Sequence, residues 1–222
     1  LLCVIVGAIG VYFVQQAGTS LGTAVAGTAI SFEQPSFTAE FPNVLEEDGL
    51  DSESSGMFSA ETTDFADYRY ENGAYVIEVA DPEFIAWQMI SGVRDDIAFS
   101  IDATIDGPRD TAATLLFRYQ DQNNFYSYSV NGNGEYRVLY YENDEPTVLV
   151  DWTSSSAINS LGQSNTLRIE MNGDTLTFFC NDRELTTLSD STFSSGELGF
   201  ATETFADGNG TVAFDNLLVR GR

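Results

Sequence analysis

The 222-residue sequence contains no histidine and no lysine, and only two cysteines and five prolines. Without imidazole there is no Ser-His-Asp triad, no histidine-ligated metal and no imidazole base. Every basic side chain is one of nine arginines, set against 34 acidic residues for a formal charge of −25. A surface this negative repels phosphate backbones and excludes nucleic acid as a partner. Cys3 lies in an apolar run, so Cys3 and Cys180 make a poor disulfide pair. What is present is apolar and aromatic: 43% hydrophobic residues, with 16 Phe, 10 Tyr and 2 Trp. That composition specifies a packed core rather than an acidic disordered tail.

Residues 1–14 (LLCVIVGAIGVYFV) carry no charge, and the following QQAGTSLGTAVAGTAI is also uncharged; Glu33 is the first charged side chain. A bilayer-spanning helix needs about 20 mostly apolar residues, which 1–14 falls short of and 1–26 reaches. The chain opens without Met or a basic residue, so the numbering is expected to begin inside a longer gene product. Three readings stand: a secretory signal, a membrane anchor, or an assembly helix of the pilin-like kind that self-associates into a filament. Each places the rest of the chain outside the cytoplasm. Glu, frequent at the fifth mature position of type IV pilins, is replaced by Ile5. Residues 31–56, with Pro35, Pro42, Glu46-Glu47-Asp48 and DSESSG, read as an acidic Ser/Pro-containing linker; Ala29–Phe32 or Phe37–Phe41 as an edge strand is the alternative.

From residue 57 apolar and polar residues alternate, and turn signals recur at Asn72-Gly73, Asp106-Gly-Pro108, Asp121–Asn124, Asn131–Gly134, Glu142–Glu145, Asn172-Gly173 and Asp207–Gly210. Thirteen strands are predicted, from Tyr68–Tyr70 to Thr211–Arg220, with no amphipathic helix. The fold class is therefore all-β: residues 57–222 form a two-sheet antiparallel jelly-roll sandwich, preceded by the apolar, helical segment 1–30.

A three-residue loop Asp121–Asn123 would set Arg118 opposite Tyr126, and a Gly132-Asn133 turn would set Tyr128 opposite Arg137. On that register one face carries Arg118, Gln120, Tyr126, Tyr128, Arg137, Tyr141 and Trp152. The other, with Leu115, Phe117, Tyr119, Phe125, Tyr136, Val138 and Tyr140, is the core face. In the hairpin Leu167–Cys180, residues Leu167, Ile169, Leu176, Phe178 and Cys180 point inward, making Cys180 a buried small hydrophobe. Rings that stack on pyranose faces, beside Arg and Gln that hydrogen-bond hydroxyls, suit a sugar-binding platform; rings that merely cover a sheet are the plainer alternative.

The pieces TLLFRYQDQNN (Thr114–Asn124), FYSYSVNGNGEYRV, VLVDWTSSSAIN, SNTLRIEMNGDTLTFFCNDREL, FSSGELGF and the closing VAFDNLLVRG resemble the concanavalin A-like lectin/glucanase superfamily. They are closest to its extracytoplasmic laminin-G-like and 3-keto-disaccharide-hydrolase-like branches. The resemblance covers about residues 57–221 and implies a curved jelly roll whose concave sheet binds saccharide.

The carboxylate motif of the superfamily's glucanases, Glu-x-Asp-x-(x)-Glu, has its nearest counterpart in Glu78-Val-Ala-Asp81-Pro-Glu83. Glu78 and Asp81, three apart, face opposite ways on a strand, and Pro82 ends the ladder. A retaining glycosidase needs its two carboxyls about 5 Å apart. The expected function is thus a non-catalytic cell-surface protein that recognises a glycan or other surface polymer, tethered through residues 1–30. The alternative is a filament or membrane-assembly subunit; glycoside hydrolysis is the minor reading. Oxygen ligands for Ca²⁺ are offered by Asp121 and Asn123 and by Asp207 and Asn209, in loops more often used as plain turns. Asn209-Gly-Thr211 fits a glycosylation acceptor pattern.

Overall fold

The computed structural model describes residues 40–54 and 57–222. The expectations for residues 1–30, and for residues 31–39 and 55–56 of the linker, lie outside the described residues. The elements are β1 (Asn43–Asp48), β2 (Glu61–Thr62), β3 (Ala66–Glu71), β4 (Ala74–Val79), β5 (Ile85–Arg94), β6 (Ile97–Asp106), β7 (Ala112–Asp121) and β8 (Asn124–Asn131). They continue with β9 (Glu135–Glu142), β10 (Glu145–Ser154), β11 (Ser164–Asn172), β12 (Thr175–Cys180), β13 (Arg183–Ser189), β14 (Gly196–Glu203) and β15 (Gly210–Gly221). All strands pair antiparallel in two sheets. One has nine strands in the order β13-β12-β11-β6-β15-β4-β3-β2, with β1 also on β15; the other has six, β10-β9-β8-β7-β14-β5. Among the described residues no helix is long and apolar enough to cross a membrane.

Each of the thirteen predicted strands is found, because alternation and Asn-Gly turns both specify hairpins locally. The acidic stretch assigned to the linker behaves differently at its end. Residues 43–48 pair with Leu217–Gly221, while Phe41 and Leu50 are buried, so the sandwich begins before residue 57. Charge had masked this strand: Glu46, Glu47 and Asp48 end it, with Glu47 exposed and half-buried Glu46 paired with Arg94.

Between the sheets lies the main core, where Phe99, Ile101, Leu167, Ile169, Leu176, Phe178 and Cys180 of the nine-stranded sheet meet Leu115, Phe117, Tyr126, Tyr128, Val138 and Phe200. The β11–β12 hairpin thus points inward as expected, with Leu167 opposite Cys180. Burial pushes the Cys180 thiol up to about 12.

Strand β8 corrects the expected register. Tyr126 faces Phe117 rather than Arg118, and Tyr128 faces Leu115 and Val138 rather than Leu116 and Arg137. The first loop is two residues long, closed by Asp121 and Asn124. The second has three residues, Gly132–Gly134, with Gly134 at φ 80° and its N–H donating to the Asn131 carbonyl. Each loop differs by one residue from expectation, and each one-residue change exchanges the faces of the strand between them. Tyr126 and Tyr128 therefore point into the core, and Phe125 points out.

Candidate functional site on the outer face of the six-stranded sheet

The outer face of the six-stranded sheet is built from two halves. The apolar half gathers Trp87 and Met89 of β5, Leu116 and Tyr119 of β7, Phe125, Leu139 and Tyr141, and Ala201 into a cluster separate from the main core. Phe125 and Tyr141 stack with ring centroids 4.6 Å apart. The Trp87 indole N–H is buried with no hydrogen-bond partner among the described residues. Burial, then the charges of Asp121 and Glu197, pushes the Tyr119 hydroxyl up to about 12.

The polar half follows from small residues on the two middle strands. Arg137 of β9 lies opposite Ser129 of β8, and Ser129 lies opposite Thr114 of β7. Strands are about 4.8 Å apart, so the short Ser129 and Thr114 side chains leave a trough in which long ones from β9 and β14 can meet. There Arg137 Nη2 donates to Glu203 Oε1 at 2.7 Å. Ser129 Oγ donates to Glu203 Oε2 at 3.3 Å, and Thr114 Oγ1 to Ser129 Oγ at 2.9 Å. The guanidinium carbon lies 4.7 Å from the ring centroid of Trp152 on β10 and 5.5 Å from that of Phe205, just past β14. Trp152 and Phe205 meet edge to face at 6.0 Å, and both keep part of their surface exposed. An aromatic face beside an oriented guanidinium and carboxylate is suited to a polyhydroxylated ring.

Of the seven residues expected to bind ligand, the structure brings Arg137, Trp152 and Tyr141 to this face, the first two in direct contact. Four go elsewhere. Arg118 adopts φ 48° in a bulge, is fully buried, and donates to the main-chain carbonyls of Phe193, at 2.7 Å, and Gly173 in the β11–β12 turn. Gln120 donates to the carbonyls of Arg118 and Ser195. Tyr126 bonds Asp190, and Tyr128 donates to the Phe179 carbonyl at 3.0 Å. Burial, then the Asp190 bond, pushes the Tyr126 hydroxyl up to about 12; complete burial raises Tyr128 well above its ordinary value. Tyr119 and Phe125, expected in the core, stand instead in the outer cluster.

Glu203 and Phe205 escaped sequence reasoning because 66 residues separate Arg137 from Glu203. Only the strand order, which inserts β14 between β7 and β5, brings them together. A carboxylate closing a strand otherwise apolar after Glu197 (GELGFATE) was the one available signal.

The glucanase-like carboxylates do not converge. Glu78 pairs with Arg69 at 2.8 Å, Asp81 accepts at its main-chain carbonyl from Thr204, and Glu83 sits in a turn at φ 54°. In the first Ca²⁺ candidate loop, Asp121 Oδ1 accepts from the Asn123 N–H and Asn124 Nδ2, each at 2.8 Å. In the second, Asn209 Nδ2 donates to the Asp207 carbonyl at 3.2 Å. Among the described residues no group of three or more His, Cys, Asp or Glu side chains is placed to hold a metal.

No protein-family model matches this sequence, and no curated protein matches it. Solved structures do share its fold. The carbohydrate-binding module CBM66 from Bacillus subtilis superposes with a TM-score of 0.59 at 21% identity, over 70% of this chain and 92% of that one. A Bacillus subtilis protein of unknown function with a galectin-like fold gives 0.62 at 11% identity, over 81% and 96%. A GlcNAcα1-4Gal-releasing endo-β-galactosidase from Clostridium perfringens gives 0.56 at 11% identity, over 84% of this chain and 64% of that one. The chain shares the two-sheet β-sandwich fold of these structures, one of which is described as galectin-like, in keeping with the jelly roll that the sequence pieces had implied. These neighbours include carbohydrate-binding and glycosidase proteins alike, and none of the three singles out the 3-keto-disaccharide-hydrolase-like branch.

Proposed function

We propose that this protein is a non-catalytic, extracytoplasmic glycan-recognition protein, binding through the trough of the six-stranded sheet and tethered by residues 1–30. The observation that carries this reading is the Arg137 guanidinium held by Glu203 beneath the partly exposed Trp152 ring. The indole offers a stacking face, and the fixed guanidinium offers directed donors to hydroxyls. Similarity of fold to a carbohydrate-binding module supports it. The non-catalytic reading is supported by Glu203, whose two oxygens are engaged by Arg137 and Ser129, whereas most glycosidases set two carboxyls on either side of the glycosidic bond.

The test uses the full-length chain on a glycan array. Binding is expected that Trp152→Ala weakens about tenfold, the scale of one lost stacking contact, and that Tyr126→Phe leaves unchanged. Failure to bind any glycan, or indifference to Trp152→Ala, overturns the proposal; release of reducing ends overturns its non-catalytic part. The uncharged run before Glu33 also supports a filament-subunit reading, which electron microscopy of native material decides: ordered fibres favour it, single anchored particles the recognition role.

A further inference from the structure

At the end of the trough the β8–β9 turn faces two loops and forms a pocket of about 300 Å³, the lower end of the range that holds small ligands. Arg109, Asn133, Ser154, Ser155, Ser156 and Ser160 line it. The pocket adjoins the proposed site: Ser154 is two residues beyond Trp152 on β10 and pairs with Glu135, two residues before Arg137.

Its construction depends on Gly132. A Cβ there would lie 2.8 Å from the Leu161 side chain and 3.0 Å from the Arg109 carbonyl, so only glycine lets the segment carrying Arg109 close on the turn. The Ser155 N–H, donating to the Gly134 carbonyl at 3.0 Å, joins the third side. Ser156 is held from behind by Arg183, whose Nη1 lies 3.4 Å from both its carbonyl and its hydroxyl.

The charge inside this pocket runs against that of the whole molecule. With 34 acidic residues in the sequence, no carboxylate lines it. Arg69, Arg94, Arg137, Arg168 and Arg222 each pair with a carboxylate. Arg109 instead gives Nη1 to the Gly132 carbonyl at 3.3 Å and has no carboxylate partner among the described residues. Asp110, next in the sequence, and Glu135, just past the β8–β9 turn, stand outside the lining, and Glu135 accepts from Asn131 Nδ2. An exposed guanidinium among hydroxyls, amides and no acid is a receptor for an anion with polar surroundings.

We propose that this pocket binds an anionic substituent of the glycan, the carboxylate of a uronic acid or a sulfate ester, while the sugar ring it belongs to, or the next one, stacks on Trp152. This rests on the glycan-binding reading above and narrows its ligand to acidic glycans. The net charge of −25 does not oppose it at the point of contact. At physiological salt the Debye length is about 8 Å, so distant carboxylates are screened while the guanidinium–anion contact is local.

The test measures affinity of the full-length chain for matched oligosaccharides: a uronic acid form, its neutral counterpart reduced at C6, and a sulfated form. At least one acidic form is expected to bind about tenfold or more tightly than its neutral partner, the scale of one charge-assisted hydrogen bond. The carboxylate and sulfate arms tell which substituent the pocket takes. Arg109→Gln should abolish that preference and leave affinity for the neutral form unchanged; Arg109→Lys, which keeps charge and loses the fork, should retain part of it. Equal affinity for every acidic and neutral pair, or a preference that survives Arg109→Gln, overturns the inference while leaving Trp152-dependent binding standing. No binding of any form overturns both.

Discussion

Phe117 on β7 stacks on Tyr126 of β8 with ring centroids 5.1 Å apart, and beyond this pair three residues of β7, 118 to 120, are set against Phe125 alone. The surplus is taken up at Arg118, whose φ of 48° swings its side chain into the sandwich. A bulge that looks like a defect in the ladder therefore delivers the one guanidinium that ties β7 to the β11–β12 turn.

Replacing Arg118 tests that tie. Arg118→Ala leaves the Phe193 and Gly173 carbonyls without their donor and should destabilise by about 2–4 kcal/mol. Arg118→Gly loses the same bonds but relieves the positive φ, so it should be less destabilised than Arg118→Ala by about 1 kcal/mol. Urea unfolding of both variants measures the difference; equal stabilities would mean that the backbone is unstrained there.

The facing strand depends on Gly196 in a complementary way. A Cβ at that position would lie 2.3 Å from the Arg118 carbonyl carbon and 2.5 Å from the Tyr119 nitrogen, both main-chain atoms that cannot rotate away. Gly196→Ala should cost about 3 kcal/mol or more by forcing β14 off β7. A melting temperature within a degree or two of the native protein would contradict the close approach.

In the trough, Arg137→Met strands Glu203, only 8% exposed at its side chain, without its cation. About 3–5 kcal/mol should be lost, and Glu203→Gln added to the same chain should recover a large part, since a neutral amide is far cheaper to bury. A double-mutant cycle by chemical denaturation checks both statements. Additive losses would mean that the two side chains do not interact.

Stability should have a maximum in mild acid. Burial raises the carboxyls of Glu46, Asp48 and Asp215 above their ordinary values. The stability such raised groups contribute is fully present below their unfolded values and is lost as pH rises through the folded ones. Asp67 is held low, chiefly by the Thr62 hydroxyl, and Asp190 is held low, against its burial, by hydrogen bonds from Tyr126 and Thr192. Their contribution is present above the ordinary carboxylate range, near pH 4, and is lost as pH falls through the depressed values. Thermal unfolding should therefore shift upward from pH 7 towards pH 5, helped by the falling net charge, and downward below about pH 4. A monotonic fall from neutrality would refute this account.

Cys180 provides a reporter of opening. Fully buried and with its thiol pushed up to about 12, it should not react with a thiol reagent in the native protein at pH 8 and should react on unfolding. In a Cys3→Ser chain the labelling rate then measures the opening of β12 directly; rapid native labelling would show that this edge of the sandwich is loose.

The strands themselves were legible because their causes are local: alternation decides which residues are apolar, and Asn-Gly pairs decide where the chain reverses. The inward side of β11 and β12 could be read in the same way, because the two-residue Gly173–Asp174 turn leaves no other register. Strand β8 could not. Both of its loops, Gln122-Asn123 and Gly132–Gly134, are compatible with two or three residues, and with Tyr and Phe alternating along the strand either face looks like a core. Only packing against the second sheet, where Phe178 meets the rings of Phe117 and Tyr128, selects Tyr126 and Tyr128 for the interior.

The sequence alone determined the all-β class, the places of thirteen of the fifteen strands, the acidic surface and the exclusion of imidazole chemistry, since each depends on residue type and short-range spacing. The meeting of Arg137 with Glu203, the burial of Arg118 and the acid-free pocket around Arg109 were decided by the tertiary structure. Each joins strands or loops far apart in the chain, and strand order is set by the burial of whole faces, which no local pattern records.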